Sequence, residues 1–178
     1  MNNIVKIQKV SVIMKFLCGI ALIALPAFTF YCWLLLDSET FLSLLQESIP
    51  IQTQYIGLSN RLLALVPGLI PIALLMRGAW HLRRLFGLFA VRAFFHEEIA
   101  QRLHGFAFML VFSVLAKPVA GALSSAALTM NYPEGERSIS VTIESGDLTT
   151  LFIGVIFLII AWVLREAHQL SKENAEIV

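Results

Sequence analysis

RGAWHLRRLFGLFAVRAFFHEEIAQRLH, residues 77–104, carries Arg77, Arg83, Arg84, Arg92 and Arg102, yet long apolar runs flank it on both sides. Cations at that density are too costly to lie across a bilayer. The stretch is also too apolar to be a free, solvated loop. It reads as a helical hairpin held at the cytoplasmic surface by one transmembrane helix on either side. Leu82, Leu85/Phe86 and Phe89 recur at three- and four-residue spacing, with His81, Arg83 and Arg84 on other faces, which gives the first arm an apolar stripe. A break near 92–95 turns the chain. Glu97 and Glu98 then open the second arm, where acids suit the positive end of a helix dipole.

Composition points the same way. The chain has 178 residues, the length of one domain, with 58% hydrophobic and 14% charged residues. Its mean hydropathy is +0.79. Soluble domains use roughly 45–50% apolar residues, so a water-soluble chain of this size would need more polar surface, and membrane insertion is the economical reading. A net charge of +1 argues against direct nucleic-acid binding, which needs a basic excess on one face. Cys18 and Cys32 share one predicted helix. At 1.5 Å per residue they stand roughly 21 Å apart, too far for a disulfide, so they read as packing residues.

Working outward from the hairpin, four spans emerge at about 14–36, 62–80, 106–129 and 148–164. The first follows Lys6, Lys9 and Lys15 and runs from Phe16 to Leu36 without a charge. That is longer than the apolar core of about 7–15 residues in a signal peptide and enough for about 30 Å of hydrocarbon. Pro67 and Pro71 should bend the second span. The third carries Ala120/Ser124, Gly121/Ser125 and Ala122/Ala126, the small-residue spacing that lets helices approach closely in lipid. In the two remaining connections, about 37–61 and 130–147, residues 51–55 and 138–143 alternate with period two. They suggest a small extracytoplasmic β pair, which would need support from the membrane surface or the helix ends.

Lys and Arg placement sets the orientation. The N-terminus, the hairpin (about 81–105, with Arg77 just before it) and the tail hold Lys6, Lys9, Lys15, Arg77, Arg83, Arg84, Arg92, Arg102, Arg165 and Lys172. The other connections hold only Arg61 and Arg137. The positive-inside rule therefore puts both termini and the hairpin in the cytoplasm. The expected fold is one all-α membrane domain over 1–178 with four transmembrane helices, N-in and C-in, the second and third extended into the cytoplasm.

Leu85-Phe86 followed by Phe95-His96-Glu97-Glu98, together with Leu170, Glu173, Asn174, Ile177 and Val178 in the tail, resembles an uncharacterised bacterial membrane family catalogued as domain of unknown function 2975. The resemblance covers most of the chain and implies four spans in a bacterial cytoplasmic membrane. His96 stands where that family usually has a capping hydroxyl, and Ile99 where Asn is common. The family brings no established activity. Its members are often encoded beside small helix-turn-helix regulators, which implies a protein partner of that kind. The two motifs also echo each other, residues 95–100 aligning with 170–175.

Lys117 is the sharpest single residue. Counted from Phe106 it lies about 16 Å deep, near the midplane, where a cation is by default a functional-site candidate. Pro118 frees the carbonyl of Val114 as a local acceptor, and no expected span contains an Asp or Glu to pair with it. The plainer reading is a shifted helix with Lys117 snorkelling toward an interface. His81, His96, His104 and His168 all fall on the inner side, but no pair has metal-ligand spacing and HEEIA lacks the second His of HExxH. No metal or cofactor is expected. A nucleophile with a base, a phosphate loop and an intramembrane carboxylate pair are all missing from the pattern, which reads as no enzyme.

Two functional readings follow. The first is a non-enzymatic sensor or adaptor whose cytoplasmic face, Arg83, Arg84, Arg92, Phe95, Glu97, Glu98 and Arg102, binds a partner, with the arginines also suited to anionic headgroups. Here the tail motif is either a docking peptide or the end of the fourth helix lying on the hairpin. The second is a small transporter or channel component using Lys117, which in four short spans would require a homo-oligomer.

Overall fold

The structure, a computed structural model, describes residues 2–35, 40, 58–91, 97–133, 137 and 139–176, with backbone alone at 2, 3 and 174–176. Four helices account for most of it: α1 (Asn2–Phe30, continued by a π-helical turn, Tyr31–Leu35), α2 (Leu58–Ala90), α3 (Glu98–Thr129) and α4 (Ser145–Glu176). Each is long and apolar enough to cross a membrane. Pro26, Pro67, Pro71 and Pro118 all lie inside unbroken helices. Such helices tolerate proline because neighbouring groups re-satisfy the freed carbonyls.

The helices pack in chain order, α1 on α2, α2 on α3 and α3 on α4, with the α2–α3 interface the most extensive. Small residues allow that closeness. Gly78 lies against Met109 and Phe106, where an added Cβ would stand 3.4 and 3.6 Å from their side chains. The Ser124 hydroxyl donates to the Ala64 carbonyl at 2.8 Å, and Ala120, Ser124 and Ser125 are buried. The small-residue stripe of the third span thus faces α2 and the chain segment that follows α3. A core of Leu85, Ile99, Leu103 and Ala161 joins α2, α3 and α4, flanked by Leu82, Leu88, Phe89, Phe106 and Phe157.

The outer surface is inverted relative to a soluble protein. Phe16, Ile23, Phe28, Leu35, Phe152 and Val163 are each more than 60% exposed. Contiguous apolar surface on that scale needs lipid or protein to cover it.

Neighbouring helices are antiparallel, so both ends of the described chain share one end of the bundle with the α2–α3 connection. Gln8 donates to the Ala90 carbonyl at 3.1 Å, and Ala161 packs with Ile99 and Leu103. α2 and α3 continue past their apolar runs toward this termini end, as expected. α1 and α4 reach past them, so the hairpin is flanked on both sides rather than standing alone.

At the opposite end the β pair is not seen among the described residues. Residues 51–55 and Ser138 lie outside them, and residues 139–144 form no strand. The Ser140 N–H donates instead to the Ser125 hydroxyl at 2.9 Å, laying the segment along α3. The alternation leaves Ile139, Val141 and Ile143 60–74% exposed.

Candidate functional site

At the termini end the arginines organise around Trp80. The guanidinium carbons of Arg77, Arg84 and Arg102 lie 5.5, 5.0 and 5.4 Å from its ring centroid. Arg77 and Arg84 flank it at i−3 and i+4 on α2, and Arg102 arrives from α3. Cation–π attraction contributes about 0.5–1 kcal/mol per exposed contact. Arg102 is also fixed within its own helix, its Nε and Nη2 donating to Glu98 Oε1 at 2.9 and 2.6 Å. Trp80 was absent from the sequence-derived face, although its spacing from Arg77 and Arg84 on one helix is the signal for it.

Arg83 points the other way, onto α1. A Cβ at Gly19 would stand 3.7 Å from its Nε, and a Cβ at Gly87 would stand 3.9 Å from Lys15 Nζ. Each cation therefore lies over a glycine of the opposite helix. Lys15, Trp80, Arg83, Arg84 and Glu98 line a cavity of about 430 Å3. Of the expected inner face, Arg83, Arg84, Glu98 and Arg102 thus come together, whereas Arg92 and Phe95 lie outside the described residues. Lys15, read only as a topology signal, joins them.

Glu97 belongs to a second cluster. With Arg165, His168, Gln169, Lys172 and Glu173 of α4 it lines an open cavity of about 360 Å3. Its carboxylate accepts from Gln101 Nε2 at 3.3 Å, and Glu173 accepts from Gln169 Nε2 at the same distance. Glu97 of the hairpin motif and Glu173 of the tail motif, over 70 residues apart in the chain, therefore meet on one surface. Leu170 is 51% exposed beside it. Asn174 is described by its helical backbone alone, and Ile177 and Val178 lie outside the described residues.

Lys117 differs from expectation in its partner. α4 starts at Ser145 rather than Leu148, which brings Asp147 into its first turn. Lys117 Nζ donates to Asp147 Oδ1 at 2.5 Å. Asp147 Oδ2 accepts the Glu144 N–H at 3.2 Å, the reach-back of a residue at the third helical position that caps a helix start. The carboxylate side chain is 8% exposed, the lysine side chain 46%.

Ala100 lines a small cavity with Arg165, so these two residues share a level. Seventeen residues from Ala100 to Lys117 rise about 25 Å.

Beyond it, toward the loop end, Asn60 donates to the Leu128 carbonyl at 3.3 Å and accepts from Asn131 at 3.0 Å. Arg61 is buried there, 5% exposed. Among the described residues no group of three or more His, Cys, Asp or Glu is placed to hold a metal ion.

A family model described as "Protein of unknown function (DUF2975)" matches residues 16–178. The chain belongs to that family, and its four apolar helices make it an integral membrane protein. No curated protein and no solved structure matches it.

Proposed function

We propose that this DUF2975 family member is a non-enzymatic membrane adaptor or sensor, whose termini end faces the cytoplasm and docks a protein partner such as a small helix-turn-helix regulator. The observation carrying this reading is the meeting of Glu97 with Arg165, His168, Lys172 and Glu173 around one open cavity. One residue of each sequence motif, Glu97 and Glu173, lies there at the helix ends, with both charge signs available to a polar interface rim. Lys and Arg asymmetry supports the cytoplasmic orientation. The pairing of Lys117 with Asp147 supports a structural role for that lysine over a transport role, because its charge is already neutralised within the chain.

The test is photocrosslinking in cells from a benzophenone amino acid placed at Glu97, Lys172 or Arg137 in turn. The same protein adduct from positions 97 and 172, and not from 137, is expected. Adducts confined to position 137, or none from 97 and 172, would remove the docking face.

A further inference from the structure

Two cavities at the α1–α2 contact share Lys15 and Arg83. One, about 430 Å3, is the cationic mouth beside Trp80 described above. The other, about 550 Å3, is an apolar groove along α1, lined by Val12, Phe16, Gly19, Ile20 and Ile23. The mouth holds three cations, Lys15, Arg83 and Arg84, against one carboxylate, Glu98, which Arg102 already engages. Lys15 and Arg83 make no ion pair among the described residues. From Lys15 to Ile23 the groove follows α1 for about 12 Å, most of the roughly 15 Å half-thickness of a bilayer core. A cationic mouth continuous with an apolar channel has the shape and polarity of a phospholipid.

We propose that this composite site binds an anionic phospholipid, its phosphate held by Lys15, Arg83 and Arg84 and one acyl chain lying over Phe16, Gly19, Ile20 and Ile23. A guanidinium fork and an ammonium from two different helices converge on the mouth, which suits a phosphodiester whose single negative charge is shared by two acceptor oxygens, in a lipid that brings no cation of its own. Basic pockets between transmembrane helices recognise acidic headgroups in this way. Bound there, the lipid bridges α1 and α2 where glycines replace side-chain packing. The site requires only that the termini end lie at a membrane interface, so it stands apart from the protein-docking reading. A soluble phosphate would use the mouth and leave the groove empty.

The experiment is equilibrium binding of radiolabelled phosphatidylglycerol to the purified full chain in dodecyl maltoside micelles, with phosphatidylcholine and glycerol phosphate as competitors. Saturable binding that neither competitor displaces is expected. Each cation is worth about five-fold near an anionic headgroup, so Lys15→Gln/Arg83→Gln weakens binding on the order of 30-fold. Ile20→Trp, which fills the groove, also weakens it, whereas Arg165→Gln/Lys172→Gln binds like wild type. Arg84→Gln, with a loss of about five-fold, keeps the test open should the double variant fail to fold. Equal competition by phosphatidylcholine, displacement by glycerol phosphate, or wild-type affinity in the Lys15/Arg83 variant would each overturn the site.

Discussion

Breaking the Lys117–Asp147 contact should destabilise the fold by an amount that burial sets. Lys117→Met leaves the 8% exposed carboxylate without its ammonium, while its bond from the Glu144 N–H persists. Asp147→Asn keeps an oxygen for that N–H and removes only the charge. The lysine it releases is 46% exposed and can turn toward water or headgroups. The two losses are therefore unequal, Lys117→Met being the larger. Exposed ion pairs contribute about 0.2–1 kcal/mol, and losing one partner of a fully buried pair costs about 3–5 kcal/mol. With one buried and one half-exposed member, a coupling of about 1–2 kcal/mol is expected. A double-mutant cycle measures it, using unfolding of wild type, both single variants and the Lys117→Met/Asp147→Asn variant in a mixed-micelle SDS titration. A coupling below about 0.3 kcal/mol, the scatter of additive sites, would falsify the pairing. Asp147→Asn costing more than Lys117→Met would refute the burial argument even if the coupling were found.

Close helix approach should be equally sensitive. A Cβ at Gly105 would stand 2.7 Å from ring atoms of His81, so Gly105→Ala should cost about 1–3 kcal/mol in the same titration by forcing that ring aside. Gly154→Ala should behave alike, since its Cβ would meet a methyl of Val111 at 2.7 Å. Nothing lies within 4 Å of a Cβ at Gly146, so a cost for Gly146→Ala as large as for the other two would show that glycine loss, not crowding, sets the effect.

The four helices were legible because charge-free stretches of about 20 residues have few other uses. Their true lengths were not. The polar end 165–176 carries no apolar signal, and at the start Lys6, Lys9 and Lys15 interrupt the apolar residues, so helicity at both ends comes from continuation of a long helix and from packing, as in the Gln8 contact with Ala90. The partner of Lys117 was missed for a related reason. Glu144-Ser145-Gly146-Asp147 looks like loop composition, and the cue that Asp147 starts a helix is its three-residue spacing from the Glu144 N–H it caps. Period-two alternation misled at 139–143, where the backbone N–H of Ser140 meets the Ser125 hydroxyl of a helix instead of a second strand. In the inner face, Arg83, Arg84, Glu98 and Arg102 were readable as charges near an interface. That Glu97 turns away from them, toward α4, depends on the helical register of Glu97 and Glu98, which sit about 100° apart on adjacent positions. Lys15 and its crossing with Arg83 depend on helix pairing, which no local pattern encodes.

Orientation decides whether the surface joining Glu97 to the α4 tail can meet a cytoplasmic partner at all. In a Cys18→Ala/Cys32→Ala background, single cysteines at Lys172 and Arg137 can be probed with a membrane-impermeant maleimide on intact and on opened cells. Position 172 should react only after the membrane is opened, and position 137 on intact cells. Reaction of 172 on intact cells, with 137 protected, would place the docking face outside and contradict the proposed role.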